Sequence, residues 1–185
     1  KECLSKIAGT ESQIREKLGK LVFGVDDQQL QDVVVDFFRE RKMKLTIFDC
    51  ALHGLLARSI RLADENDSCF AGALQFANTE QAIHWLNNAS GRAEDSNDGQ
   101  ASSEILGPAR QFAEYARYQM GQDSHKCVGV GISSPIPCDD VSDREVIPVA
   151  VSIGKVVFEE KIPLIGHSSI HEERTMKRIL NILRF

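Results

Sequence analysis

Asp49, Cys50 and His53 are the residues of this chain whose types and spacing come nearest to a reactive group. They lie in "LTIFDCALHGLLA" (45–57), an apolar, β-rich run ending at Asp49, then a turn carrying Cys50, then an amphipathic helix expected to open near Leu52. Such a turn presents side chains above a sheet edge, beside the unpaired N–H groups of a helix N-terminus, where α/β proteins commonly hold anions and small ligands. A thiol in that position can ionise more readily, and His53, one helical turn on, is placed to take its proton. Cys50 is therefore a candidate nucleophile with His53 as its base. Two considerations oppose this: Asp49 next door disfavours a thiolate, and cysteine is also a common small core residue.

Other polar groupings carry less chemistry. His167 and His171 are spaced i, i+4 with Glu172 beside them, the outline of a metal site. Ser168 and Ser169 place a helix start between the two imidazoles, which would point them apart, and no third ligand is indicated. No metal is expected. Asp139, Asp140, Asp143 and Glu145 form an acidic cluster that reads as a solvated loop and would repel phosphate. His84 and His125 read as surface or turn residues, and Trp85 as a packing residue.

The elements that must position these groups follow from periodicity. Leu30, Val33, Val34, Phe37 and Phe38 mark one helical face, with Asp26 or Asp27 as the expected N-cap and a basic end at 39–42. A second strand, about 69–76, leads to a helix begun by Asn78 or Thr79, with Gln81 near its third position. The stretch 87–103 lacks aromatic and β-branched residues and is rich in Ser, Asn, Asp and Gly, so it reads as a mobile surface loop. Pro108 suits the first turn of a helix whose stripe Ala109, Phe112, Ala113 and Ala116 runs to Met120 and stops at Gly121. "CVGVGI" reads as a buried strand, and "VIPVAVSIGKVVFEEKI" as two strands joined at Gly154-Lys155. A last helix, capped by Ser169 with Glu172 three residues on, buries Met176, Ile179, Leu180 and Leu183. Strands alternating with helices, and one terminal hairpin, predict an α/β fold: a three-layer α/β/α domain with a mixed, largely parallel sheet.

A chain of 185 residues with 42% hydrophobic content can bury one ordinary core. The expected division is a tail of an upstream domain or linker over 1–20 and one domain over 21–185. A net charge of −5 without a Lys/Arg cluster disfavours nucleic acid as a partner. No apolar run approaches the roughly 20 residues needed to span a bilayer and no signal-peptide pattern opens the chain, so no membrane partner and a cytoplasmic location are expected. Five cysteines with no CxxC pair indicate neither a disulfide framework nor a zinc site.

Several of these motifs, in order, resemble the C-terminal domain of the CinA family, the bacterial nicotinamide mononucleotide amidases. The family's "TxAESCTGGLLA" aligns without gaps on the first motif: its Glu falls on Asp49, its serine nucleophile on Cys50, its Cys on Ala51, its Thr on Leu52, and its glycines on His53 and Gly54. The family's "GxxVYGxDDETLExVV" matches the run into the first amphipathic helix. In "AGALQFANTEQ" (71–81), the family's tyrosine becomes Phe76 and its lysine, a catalytic partner of the serine, becomes Gln81. "VGISSPIPC" (130–138) stands for the family's "TGIAGPDGG", keeping Gly131, Ile132 and Pro135, with Ser134, Pro137 and Cys138 in place of glycines. Ile147 replaces a glycine in "EVIPV", and Ser168 the arginine of "GDREE".

The resemblance implies catalytic positions at Cys50, Asp49, Gln81 and Phe76, and substrate-binding positions at Gly54, Gly131 and Ser134. It also implies a homo-oligomer and a pyridine nucleotide as a possible ligand, with no cofactor. Amidase chemistry needs a nucleophile, a base and donors for the developing oxyanion. Glutamine is no base at neutral pH, and phenylalanine neither gives nor takes a proton. The primary expectation is an inert domain with a structural, oligomerisation or regulatory role. The alternative is an amidohydrolase releasing ammonia from nicotinamide mononucleotide or a related amide through Cys50. A third reading keeps a pocket that binds the nucleotide without cleaving it. Leu52, His53, Ser134 and Ile147 all add bulk relative to the family residue, so a narrowed site with a poorly accessible Cys50 is expected.

Because 87–103 offers almost no apolar area against its ordering entropy, limited proteolysis should cut there first while the core survives. Full protection of this stretch in the isolated domain would contradict that composition argument.

Overall fold

The strands Lys44–Asp49, Cys127–Ile132 and Glu145–Ile153 are buried almost throughout, so helices must cover both faces of the sheet they form. In the computed structural model, residues 2–19, 22–24, 27–89, 107–120, 126–138 and 144–184 are described. Helix α1 (Glu2–Leu18) is followed by α2 (Leu30–Glu40), strand β1 (Lys44–Asp49), α3 (Leu55–Ala63), β2 (Phe70–Gln75) and α4 (Thr79–Ala89). Then come α5 (Gly107–Tyr115), running into a π-helical turn (Ala116–Met120), β3 (Cys127–Ile132), the two-residue β4 (Ile136–Pro137), β5 (Glu145–Ile153) and β6 (Val156–Pro163). A 3-10 turn (Ser168–Ile170) leads into α6 (His171–Leu183).

The strands form one six-stranded sheet in the order β2-β1-β3-β5-β4, with β6 also paired to β5. The sheet is mixed, as expected. Its parallel part is confined to β1 with β2 and β1 with β3, while β5 pairs antiparallel with β3, β4 and β6. The smaller parallel share follows from the chain's second half, where β5 and β6 form a hairpin at Gly154 (φ +55) instead of a helical crossover.

Leu45 and Ile47 of β1, Val128, Val130 and Ile132 of β3, and Ile147, Val149 and Val151 of β5 point to one face. There α2, α3 and α6 close the main core with Val34, Phe38, Leu56, Ile60, Ile179 and Leu180. Each fully buried aliphatic or aromatic side chain there contributes about 1.5–3 kcal/mol by leaving water. The opposite face carries α5. It sits so close to β3 that a Cβ on Gly129 would lie 2.0 Å from the Ala113 carbonyl oxygen, and one on Gly131 would lie 2.0 Å from that of Ala109. Beside it Phe48 stacks on Phe112 (centroids 4.4 Å, interplanar 6°) and on Phe76 (5.1 Å, 16°), with Trp85 and Tyr115 edge-on.

Four boundaries differ from the periodicity. Helix α2 opens at Leu30 and not at Asp26 or Asp27, because Gln29 and Asp32 form a capping box in which the Gln29 N–H donates to Asp32 Oδ2 at 2.8 Å. Asp26 lies outside the described residues. Helix α3 opens three residues later than expected, at Leu55, after left-handed residues 53 and 54. Ser169 lies inside the 3-10 turn, and α6 starts at His171. Asn87, Asn88 and Ala89 extend α4, shortening the expected loop at its start. The rest of that loop from 90 to 103, Gly121, His125 and the acidic residues Asp139, Asp140 and Asp143 lie outside the described residues.

The end of α3 is locked to β2 by a fully buried carboxylate. Asp64 accepts from the Ser68 N–H (2.9 Å), the Ser68 hydroxyl (2.5 Å), and the N–H groups of Cys69 (2.8 Å) and Phe70 (2.8 Å). Burial alone would raise this carboxyl, but the hydrogen bonds from Phe70, Ser68 and Cys69 outweigh it and hold the group well below the usual carboxylate range. With the folded value depressed, the stabilisation is complete above the unfolded value of about 4 and is lost as pH falls towards the folded one. Asp64→Asn should therefore lower stability at neutral pH by about 2–4 kcal/mol, since the amide nitrogen meets N–H donors. In urea denaturation followed against pH, the gap between wild type and variant should shrink below about pH 4. Equal stability at neutral pH would refute this account of the lock.

Candidate functional site

The C-terminal ends of β1, β2 and β3 meet at one point because backbone hydrogen bonds continue past the strands. The Cys50 N–H donates to the Ile132 carbonyl at 3.0 Å, and the Phe76 N–H to the Asp49 carbonyl at 2.9 Å. From there the chain must turn into α3. Asp49 directs that turn with its own side chain: Oδ1 accepts from the N–H groups of Ala51 (2.9 Å) and Leu52 (2.7 Å), and Oδ2 from that of Gly54 (2.7 Å). The donors that a strand-to-helix turn offers to an anion are thus taken by a carboxylate of the protein itself.

The turn then passes through two left-handed residues, His53 (φ +50) and Gly54 (φ +78). A Cβ on Gly54 would lie 2.7 Å from Gln75 Oε1, so space as well as dihedral favours glycine there. His53 is exposed, and its Nδ1 pairs with Glu172 Oε1 at 3.1 Å, tying the turn to the start of α6. No hydrogen bond joins His53 to Cys50. The expected base is therefore not brought to the expected nucleophile; Glu172 holds it elsewhere.

Cys50 is only 5% exposed and packs with Phe48, Ala82, Leu86 and Phe112. Burial, and after it the neighbouring Asp49, push its thiol up to about 12. At neutral pH this keeps the group as the thiol and not as the thiolate, which is the nucleophilic form. Phe76 is half-buried in the aromatic stack over Phe48 and Trp85. Gln81 is exposed on the first turn of α4, where its N–H donates to the capping Asn78 Oδ1 at 2.9 Å.

Of the expected substrate-binding positions, Gly131 lies beneath α5, where its missing side chain admits a helix and not a ligand. Ser134 is the one that borders open space. A cavity of about 410 Å³ lies between Asn78, Thr79 and Ile83 of the α4 start, Pro108, and the segment from Ser133 to Ile136. Its polar edge is a reciprocal lock: the Thr79 N–H donates to Ser134 Oγ (2.9 Å), the Ser134 N–H to Thr79 Oγ1 (2.8 Å), and Ser134 Oγ to the Cys50 carbonyl (3.3 Å). Sequence reading named Thr79 only as a possible cap. The available signal was a hydroxyl residue at a helix start opposite another in a loop. Among the residues expected to fill the site, Leu52 and Ile147 belong to the main core.

His167 and His171 do not converge either. His167 Nδ1 faces Ser169 Oγ (2.9 Å) while His171 Nε2 faces the Gly166 carbonyl (3.0 Å). Among the described residues no group of three or more His, Cys, Asp and Glu side chains could hold a metal ion. No described helix is long and apolar enough to cross a membrane.

These features define an α/β/α domain with a mixed sheet in which strand β1 ends in a self-capped turn. No protein-family model matches the chain. A competence-damage inducible protein of Thermoanaerobacter pseudethanolicus is 26% identical over all 185 residues, which make up 43% of its length. A CinA-like protein of Kosmotoga olearia is 37% identical over 54 residues, 29% of this chain and 13% of its own. The chain spans less than half the length of these curated relatives. Crystal structures of CinA superfamily proteins from Enterobacter cloacae and Escherichia coli share the fold, each with a TM-score of 0.64, at 13% and 14% identity. They cover 88% and 90% of this chain and 95% and 97% of their own. The chain is thus similar in sequence to competence-damage inducible and CinA-like proteins, and it shares its fold with CinA superfamily structures.

At neutral pH Cys50 should react with thiol reagents far more slowly than the half-buried Cys138. Peptide mapping after timed alkylation reads this directly; rapid labelling at Cys50 ahead of Cys138 would overturn the closed-site geometry.

Proposed function

We propose that this CinA-like domain does not hydrolyse nicotinamide mononucleotide and acts as a structural or regulatory module that self-associates. The observation that carries the reading is the Asp49 carboxylate on the N–H groups of Ala51, Leu52 and Gly54. An oxyanion or phosphate would compete for those donors with a covalently attached carboxylate of fixed geometry, whose effective concentration no free ligand matches.

Supporting it, Cys50 is buried with a raised thiol and has no hydrogen-bonded base. Phe76 and Gln81, at the positions where the resembling family has a tyrosine and a lysine, supply packing and a helix surface. The fold says nothing against activity, since chemistry resides in particular groups and not in the architecture that bears them. Self-association rests on the resemblance, and sedimentation of the purified domain reads it separately.

Purified protein should release no ammonia from nicotinamide mononucleotide above the buffer rate. Ammonia release that disappears in Cys50→Ala would overturn the reading and establish a cysteine amidohydrolase.

A further inference from the structure

A cavity of about 370 Å³ lies between the end of β6, the segment that follows it and one side of α6. It shares no lining residue with the 410 Å³ cavity at the strand ends. Ile162, Leu164 and Ile165 give it an apolar floor, and His171, Arg174 and Arg178 of α6 line its edge. These three are spaced i, i+3, i+7, so one stripe of the helix faces the depression.

The two arginines are held in different ways. Arg178 Nε donates to Glu160 Oε1 at 2.6 Å, so its charge has a carboxylate counterpart. Arg174 Nη1 instead donates to the Ile165 carbonyl oxygen at 2.7 Å, and no carboxylate pairs with it among the described residues. Neighbouring Glu173 is taken by Lys177 at 2.6 Å. The backbone is shaped around the guanidinium: Gly166 is left-handed (φ +98), and a Cβ there would lie 3.2 Å from Arg174 Nη1. The Gly166 carbonyl meets His171 Nε2 at 3.0 Å, which holds the same segment from its other side.

A guanidinium positioned by a carbonyl keeps its full charge and most of its donors. Its planar fork matches a carboxylate through two parallel N–H bonds. An apolar floor beside it suits an apolar body, and the volume lies within the range of small-molecule sites. Glu160 at the edge disfavours a dianion. We propose that this depression binds a small monocarboxylate with an aromatic or branched aliphatic body, its carboxylate on Arg174 and its body over Ile162, Leu164 and Ile165. The proposal is independent of the reading of the 49–54 turn.

Isothermal titration calorimetry with benzoate, benzyl alcohol and inorganic phosphate tests it on the wild-type chain, Arg174→Gln and Ile165→Glu. Benzoate should bind wild type, with benzyl alcohol and phosphate at least about tenfold weaker. Arg174→Gln, checked by circular dichroism to be folded, should weaken benzoate about tenfold or more. Ile165 is 49% exposed, so Ile165→Glu leaves the core untouched while placing a competing carboxylate beside Arg174. It should abolish benzoate binding, which keeps the proposal testable if Arg174→Gln does not fold. No benzoate binding to wild type, benzoate binding unchanged in either folded variant, or equal binding of benzyl alcohol or phosphate would each overturn it.

Discussion

One carboxylate sets the geometry of the upper edge of the sheet. A strand that ends above its neighbours and turns into a helix leaves several N–H groups without partners, and a buried N–H left unpaired costs about 1–3 kcal/mol. Asp49 is the last residue of β1, so its side chain is the one acceptor that arrives at the turn with the chain itself. By taking three of those N–H groups, it fixes where Cys50 sits, makes residues 53 and 54 left-handed, and orients α3. At about 1.5–3 kcal/mol for each hydrogen bond to an acidic side chain, the turn draws several kcal/mol from a single residue. That is a large part of the 5–15 kcal/mol typical of a whole domain.

A second constraint comes from the other side of the sheet. With no Cβ at 129 and 131, α5 comes down until its backbone touches β3, and that approach lays Phe112 flat on Phe48. Phe76 then has a ready surface to stack on, and Cys50 is closed in from below by the same cluster. The glycines near the strand ends are therefore of two kinds. Gly54 is required by a left-handed turn and by Gln75, whereas Gly129 and Gly131 are required by a helix.

Legibility in the sequence divides along the same line. Elements whose burial repeats with a fixed period could be read: α2 from Leu30, Val34 and Phe38, α6 from Met176, Ile179 and Leu180, and the hairpin from Gly154. Boundaries were displaced where a local side-chain bond competed with periodicity, as Gln29 and Asp32 did at α2, and where a 3-10 turn preceded α6. The site was legible only as a set of residue types. Which way His53 points depends on a positive φ and on Glu172, 119 residues away. The Thr79–Ser134 lock spans 55 residues, and the role of Gly131 depends on the height of α5 above the sheet. None of these has a short-range signature.

A fold and a reactive site are held by different things. The sheet order and layers rest on backbone ladders and on apolar volume, which many side-chain combinations can satisfy at similar free energy. A reactive site rests on a few groups held to within fractions of an ångström, so each replacement acts on the chemistry directly. In the strand-to-helix turn both demands fall on the same atoms. The N–H groups of Ala51, Leu52 and Gly54 must be satisfied for the fold to close, and they are also the donors that a bound anion would use. When Asp49 satisfies them from within, the turn stays in place without a ligand. Here, a well-formed turn is evidence of stability, and any function assigned to it must come from groups that the fold has not already engaged.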